Sequence, residues 1–358
     1  MNKLASAATA LLHRFEPETA HEIAIRGLAL GLGPAHARRD VPALSTRLMG
    51  LRFPNPIGLA AGFDKDARAV RPLARLGFGH VECGTVTPRP QPGNPAPRLF
   101  RLPEDGAIIN RMGFNSCGID RFCRRLARLH RPMPGGYGRG AGHTPVGVNL
   151  GINKENASPA QDYANGVARV SPYADYVTIN LSSPNTPGLR NLQTAEHLAA
   201  ILSAIADRNP TRPPLVVKLS PDLAESDIQP IVETAIEHGA DGLILTNTTI
   251  SRPAGLRSFH ADEAGGLSGR PLAPLARDML HRVAAVTKGR LHLIACGGIE
   301  SGQDVFDRLS AGADMVQIYS SFILDGAGVL DRMKRELLQI MRERNLESID
   351  DIRAQARA

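Results

Sequence analysis

From Leu48 onward, short apolar runs alternate with amphipathic stretches, the signature of βα units and a parallel sheet. The apolar runs are Pro56–Ala60, His80–Val86, Val146–Leu150, Tyr176–Leu181, Leu215–Leu219, Gly242–Thr246, Leu291–Cys296 and Met315–Ile318. Between them, 3.6-residue spacing predicts helices over Asp66–Leu76, Ile119–His130, Ala160–Val170, Ala195–Asp207, Glu225–His238, Leu272–Thr287 and Gly302–Ser310. Leu48–Phe53 precedes the first run and reads as a lid strand below the barrel. Eight such strands over about 300 residues predict an α/β chain folded as a closed TIM (β/α)8 barrel. An open doubly wound sheet is the alternative, weakened because no G-x-G-x-x-G follows the first strand.

Residues 1–40 stand outside that pattern, which divides the chain into 1–40 and a barrel over 41–358. Leu4, Ala8, Leu11, Leu12 and Phe15 recur at helical spacing, and Ala20, Ile23, Ala24, Gly27 and Leu28 form a second stripe. Pro17 starts the second helix, with Glu16 and Glu18 at its positive end, and Gly31-Leu-Gly-Pro34 stops it. Such an amphipathic hairpin either docks on the parent domain or forms an apolar groove against a membrane or a greasy ligand.

The strand ends carry the chemistry. Tyr176–Leu181 breaks into Ser182, Ser183, Pro184, Asn185, Thr186, Pro187 and Gly188, and the two prolines take the backbone out of the ladder. The same strand carries Asn180, and the other strand ends carry Ala61-Gly62-Phe63-Asp64-Lys65, Gly84-Thr85, Asn149, Lys218, Thr246-Asn247-Thr248, Gly297-Gly298 and Tyr319-Ser320. Together they describe one polar mouth on one rim. Two connections, Thr87 to Gly118 and 249–271, exceed what a connector needs and read as functional loops, whereas Arg131–Gly142 reads as a plain linker.

Composition narrows the chemistry. The chain has 358 residues and a formal charge of +7, with both signs interspersed and few aromatics, which argues against nucleic acid. Its four cysteines show no C-x-x-C spacing, and no strand-end His/Asp/Glu cluster points to a metal. Cys83 and Cys296 fall in apolar runs and are expected to pack as small hydrophobes in a reducing compartment. The amino terminus lacks the continuous apolar stretch and cleavage site expected of a signal peptide, and no apolar run is long enough to span a bilayer.

At the rim, Gly269, Gly297, Gly298, Tyr319 and Ser320 suit a phosphate, because bare backbone amides approach an anion closely. Of Lys65 and Lys218, one suits a ligand carboxylate and the other negative charge building on a reduced ring. Asn110, Asn180, Asn185 and Asn247 offer paired donors and acceptors that fit a planar cyclic amide. Ser183 has neither a strand-end His nor a G-x-S-x-G elbow, so an acyl-enzyme triad is a poor fit. A serine that takes a proton from carbon while hydride leaves to an electron sink is compatible.

The motifs Leu59-Ala-Ala-Gly-Phe-Asp-Lys65, Gly84-Thr-Val-Thr-Pro-Arg-Pro-Gln-Pro-Gly-Asn94, Asn110-Arg-Met-Gly-Phe-Asn115, Asn180-Leu-Ser-Ser-Pro-Asn-Thr-Pro-Gly188, Thr246-Asn-Thr-Thr249, Gly265-Gly-Leu-Ser-Gly-Arg-Pro271 and Gln317-Ile-Tyr-Ser320 follow one another in order. By them the chain resembles the quinone-dependent class 2 dihydroorotate dehydrogenases over essentially its whole length. The resemblance implies oxidation of dihydroorotate to orotate in pyrimidine synthesis, with FMN as cofactor and a membrane quinone as final acceptor. It implies FMN contacts from Ala61, Gly62, Phe63, Asp64, Lys65, Thr85, Asn149, Asn180, Lys218, Thr246, Gly269, Gly298, Tyr319 and Ser320. Substrate contacts would come from Lys65, Asn110, Arg111, Met112, Gly113, Phe114, Asn180, Asn185, Asn247 and Thr248. Ser183 matches the base, Thr186 a proton relay, and His21 a hydrogen-bond partner for the quinone. The amino-terminal helices would hold a monomer peripherally on the cytoplasmic face of the cell membrane. The class 1 enzymes, linked to fumarate or NAD, resemble the barrel but place a cysteine at the base position and lack those helices. Cys296 before the glycine pair departs from the pattern and is expected to be a packing variant.

Overall fold

A computed structural model describes residues 8–33, 40–129, 143–155, 158–185 and 189–357. Residues 8–12 (α1) and Pro17–Ala29 (α2) are helical. Pro17 sits in the first turn of α2, where its missing N–H costs nothing, and the Glu16 carboxylate accepts from the N–H groups of Glu18 (3.0 Å) and Thr19 (2.8 Å). These helices are tied to the rest of the chain by ion pairs from Glu18 to Arg98 (2.6 Å) and from Glu22 to Arg68 (2.7 Å).

Leu48–Phe53 is not one strand. Thr46–Leu48 (β1) and Leu51–Phe53 (β2) form an antiparallel hairpin, because Met49 (φ 50°) and Gly50 (φ 74°) both adopt the left-handed conformation that reverses the chain.

The remaining elements follow in order. They are β3 (Ile57–Leu59), α3 (Val70–Arg75), β4 (Val81–Val86), β5 (Leu99–Leu102), β6 (Ala107–Asn110), α4 (Ile119–Leu129) and β7 (Val146–Leu150). Next come α5 (Pro159–Val170), β8 (Tyr176–Asn180), α6 (Ala195–Arg208), β9 (Leu215–Leu219), α7 (Glu225–Glu237), β10 (Gly242–Leu245) and β11 (Gly266–Gly269). The chain ends with α8 (Ala273–Thr287), β12 (His292–Cys296), α9 (Gly302–Ser310), β13 (Met315–Ile318), α10 (Ser320–Asp325), α11 (Gly328–Glu343) and α12 (Ile349–Arg357).

Strands β3, β4, β7, β8, β9, β10, β12 and β13 close into a parallel barrel in chain order. Each of the eight apolar runs is one of these strands. They read as near-continuous apolar runs because side chains on both faces are covered, by the helices outside and by one another within. Leu48 and Phe53 from the hairpin join Tyr176, Val216, Ile244, Ile294 and Met315 in an inner cluster that fills the barrel. Helix α3 starts later than Asp66, since Ala67 (φ 53°) interrupts the helical path and Asp64 Oδ1 and Oδ2 accept the N–H groups of Arg68 and Ala69.

The two long connections are not only loops. From Thr87–Gly118 come β5 and β6, from 249–271 comes β11, and together they form a three-stranded antiparallel sheet, β11–β6–β5. Helices α10 to α12 follow the last barrel strand, and Arg353 of α12 ties back to the buried Asp314 and to Thr46. The linker 131–142, Thr186 and Leu4 lie outside the described residues.

Candidate active site

The carboxyl ends of the barrel strands open into a cleft. Its lining contains most of the strand-end residues singled out in the sequence: Ala61, Gly62, Lys65, Thr85, Asn110, Met112, Gly113, Phe114, Asn180, Ser183, Asn185, Lys218, Thr246, Asn247, Thr248, Gly269, Gly298, Tyr319 and Ser320. Barrel closure brings them together, because parallel strands put all their carboxyl ends on one rim. Four others stand apart. Phe63 and Asp64 line a second cavity. Asn149 is fully buried behind Thr85, and Arg111 turns outward to Glu263 (2.7 Å) and stacks over the Phe100 ring.

The floor of the cleft is a hydrogen-bonded chain. Thr85 Oγ1 donates to Asn149 Oδ1 (2.6 Å), and Asn180 Nδ2 donates to the same oxygen (3.2 Å). Asn180 Oδ1 in turn accepts from Ser182 Oγ (3.0 Å) and Asn247 Nδ2 (3.3 Å). Beneath them the buried Glu82 carboxylate accepts from Asn149 Nδ2, Tyr176 OH, Thr178 Oγ1 and Gln317 Nε2. Sequence reading missed Glu82, which sits in an apolar run and looks like a lone polar interruption. Its partners come from three other strands, so no local signal announces it.

Ser183, 6 % exposed, lies at the mouth, and its Oγ accepts the Asn185 N–H at 3.3 Å. Asn185 Nδ2 donates to Asn110 Oδ1 (3.2 Å), which links the loop after β8 to the β5–β6 hairpin. Asn94, quoted earlier only within a motif, braces this contact by donating to the carbonyls of Arg111 and Asn185. Lys218, 5 % exposed, faces the cleft with no hydrogen bond or ion pair among the described residues. Such a buried, unmatched ammonium marks a place for negative charge.

At the opposite wall, the glycines make room. A Cβ on Gly298 (φ 66°) would lie 2.4 Å from that of Ala273, and one on Gly269 (φ 94°) would lie 2.2 Å from the Gly106 carbonyl oxygen. Only glycine fits either place, and backbone is left facing the cleft between them. Ser320 Oγ donates to Ser268 Oγ (2.9 Å) beside them. Cys296 packs in the inner barrel cluster as expected and also reaches the cleft wall; burial pushes its thiol pKa up.

A second cavity lies between α2 and the segment 62–68. It shares Gly62, Lys65, Met112 and Tyr319 with the first, so the two cavities meet at one wall. His21 stands edge-on to Phe63, with ring centroids 5.0 Å apart. Burial, aided by the charge of Lys65, pushes the His21 pKa down to about 4, so the ring is neutral at physiological pH. Lys65 itself donates to Asn115 Oδ1 (2.6 Å), and burial together with Arg98 pushes its pKa down to about 7. The lining is less apolar than the helical stripes predict, since Glu18, Glu22, Arg26 and Arg68 share it with Ile23, Ile25 and Phe63. Part of the apolar surface faces outward instead: Leu11, Phe15, Leu30 and Leu32 are exposed.

Known proteins resemble the chain over nearly its whole length. The family model of dihydroorotate dehydrogenase matches residues 43–341. A dihydroorotate dehydrogenase (quinone) of Rhodospirillum rubrum is 49 % identical over 344 residues, covering 95 % of this chain and 91 % of that one. The mitochondrial dihydroorotate dehydrogenase (quinone) of Mus musculus is 45 % identical, covering 96 % and 87 % respectively. A solved ligand-free DHODH from Eimeria tenella superposes with a TM-score of 0.92 at 43 % identity, over 96 % of this chain and 99 % of that one.

Proposed function

The chain belongs to the dihydroorotate dehydrogenase family, and from that premise we propose that it oxidises dihydroorotate to orotate in pyrimidine biosynthesis, with FMN as hydride acceptor and a membrane quinone as final acceptor. The observation that carries this reading is a single cleft holding a buried serine hydroxyl, a ring of amides, an unmatched ammonium and a glycine cradle.

The residues present fit FMN. The cradle of Gly269, Gly298 and Ser320 suits its phosphate, and Lys218 suits the edge of a ring that becomes negative on reduction. When bound, FMN supplies a two-electron acceptor that later passes its electrons on.

The chain's own residues do the rest. Lys65 pairs with the substrate carboxylate, while Asn110, Asn180, Asn185, Asn247 and Thr248 read the donors and acceptors of its cyclic amide. Ser183 Oγ takes the proton from C5 as hydride leaves C6, and its own hydroxyl proton passes outward, with Thr186 as the relay. The Asn185 N–H on that oxygen stabilises the negative charge that develops there as the hydroxyl proton departs. Burial of Ser183 keeps water from competing for the proton.

Quinone enters by the second cavity, with neutral His21 as hydrogen-bond donor, and reaches the shared wall at Lys65 and Tyr319. The exposed apolar side chains of residues 1–40 rest on the membrane surface, and no described helix is long and apolar enough to cross it. The test is anaerobic: purified protein should be yellow, bleach with dihydroorotate and recover its colour with quinone. A protein that holds flavin but does not bleach would refute the reading.

A further inference from the structure

Behind Gly297 and Gly298 lies a cation that the proposed reaction does not use. Arg308, on α9, is 3 % exposed, and among the described residues it forms no ion pair. Its Nη2 donates to the carbonyls of Ala273 and Gly297, both at 3.1 Å, and its Nη1 is buried with no partner. Burial pulls its pKa down to about 10, with Arg277 adding to the shift, so the group stays protonated at neutral pH.

The two carbonyls belong to the two walls of the glycine cradle. Ala273 opens α8 and packs against Gly298 so closely that no side chain fits between them. In a trans peptide the C=O and N–H groups point in opposite directions. A Gly297 carbonyl turned toward Arg308 therefore turns the Gly298 N–H away from it, on the side where both glycines line the cleft. That N–H has no hydrogen-bond acceptor among the described residues. One guanidinium thus staples both walls, aims a free donor and leaves a positive charge behind it. A planar fork is suited to holding two carbonyls at once.

We infer that Arg308 is a positioning residue for the phosphate of the bound flavin: it holds the Gly297–Gly298 peptide with its N–H toward the anion and backs that peptide with a buried charge held in no ion pair among the described residues. The inference rests on the reading of the cleft as an FMN site. Arg308 does not touch the phosphate. Its charge acts across one peptide unit in a medium far less screening than water.

The experiment uses the full-length flavin-loaded protein and compares FMN with riboflavin, the same ring without its phosphate. Flavin release on dilution, followed by recovery of flavin fluorescence, reports each affinity. Arg308→Met and Arg308→Gln should hold FMN roughly ten- to a hundredfold more weakly than wild type and riboflavin within about twofold, the range for a lost charge-assisted contact. Arg308→Lys keeps the charge and should retain most of the preference for FMN. Should Arg308→Met fail to fold, Arg308→Gln, which still donates to a carbonyl, decides the question together with Arg308→Lys. Equal loosening of both flavins would make Arg308 only a structural staple, and no loosening of either would make it idle; each overturns the inference alone. A wild-type protein that holds neither flavin overturns the cofactor reading, and this inference with it.

Discussion

Asn149 donates its Nδ2 to Glu82 Oε1 at 2.8 Å inside the barrel, and both residues are fully buried. An amide has one donor end and one acceptor end. Committing the NH2 to Glu82 leaves the Asn149 oxygen for Thr85 and Asn180, which fixes the floor of the cleft. Glu82→Gln replaces one accepting oxygen with a donor among four donors. At least one buried group then loses its partner, at a cost of about 1–3 kcal/mol. Urea unfolding should show that loss, and an unchanged midpoint would refute the account of Glu82 as the acceptor that sets the floor.

Ser183→Ala should keep the flavin and bind orotate but slow flavin reduction by dihydroorotate by roughly two to four orders of magnitude, the range for a removed general base. Ser183→Cys should retain some activity with a lower pH optimum, because a thiol ionises more readily than an alcohol. Stopped-flow bleaching measures both, and near-normal reduction in the alanine variant rejects Ser183 as the base.

Lys218→Met removes a buried positive charge from the cleft wall. If the cofactor ring gains negative charge beside it on reduction, the flavin potential must fall. Potentiometric titration decides this. A potential that stays or rises removes Lys218 from the role.

Lys65 carries a pH dependence whose sign is determined. With its pKa pushed down to about 7, the free protein holds only part of a proton there at neutral pH. A bound carboxylate favours the ammonium, so the complex takes up a proton. Orotate affinity should therefore fall as pH rises through 7, by up to about tenfold per unit. The dissociation constant of orotate between pH 6 and 9, read from the flavin spectrum, tests this. A flat profile in wild type, or the same slope in Lys65→Met, separates Lys65 from the carboxylate.

Removing residues 1–38 deletes α2 and with it one wall of the second cavity. Flavin reduction by dihydroorotate should persist, because none of the described residues of that segment lines the first cleft. Reoxidation by a long-chain quinone should be lost and liposome binding weakened, while a small soluble acceptor still works. Full-rate turnover of the truncated protein with long-chain quinone would reduce the helices to a cap.

The sequence by itself determined the barrel and most of the mouth. Burial on both faces of a parallel strand writes a continuous apolar run, and each run ends where its polar or glycine residue begins, so Lys218, Asn247 or Gly298 is legible from its neighbours alone. The cap of α2 by Glu16 is equally local, since it spans three residues. What the tertiary structure alone decided is which distant groups meet. Strand β11 carries glycine at Gly266, where a Cβ would come within 2.0 Å of Thr248 Oγ1, and its partner β6 lies some 160 residues away, so its low strand propensity hid it. Glu82 lies inside an apolar run and Arg308 inside the predicted helix Gly302–Ser310, and neither carries a local signal of its role. Their roles arise only when closure of the barrel surrounds one with four donors and turns the other toward two carbonyls. Periodicity is a property of neighbours along the chain, whereas the partner of a buried polar group is set by closure, which no short stretch encodes.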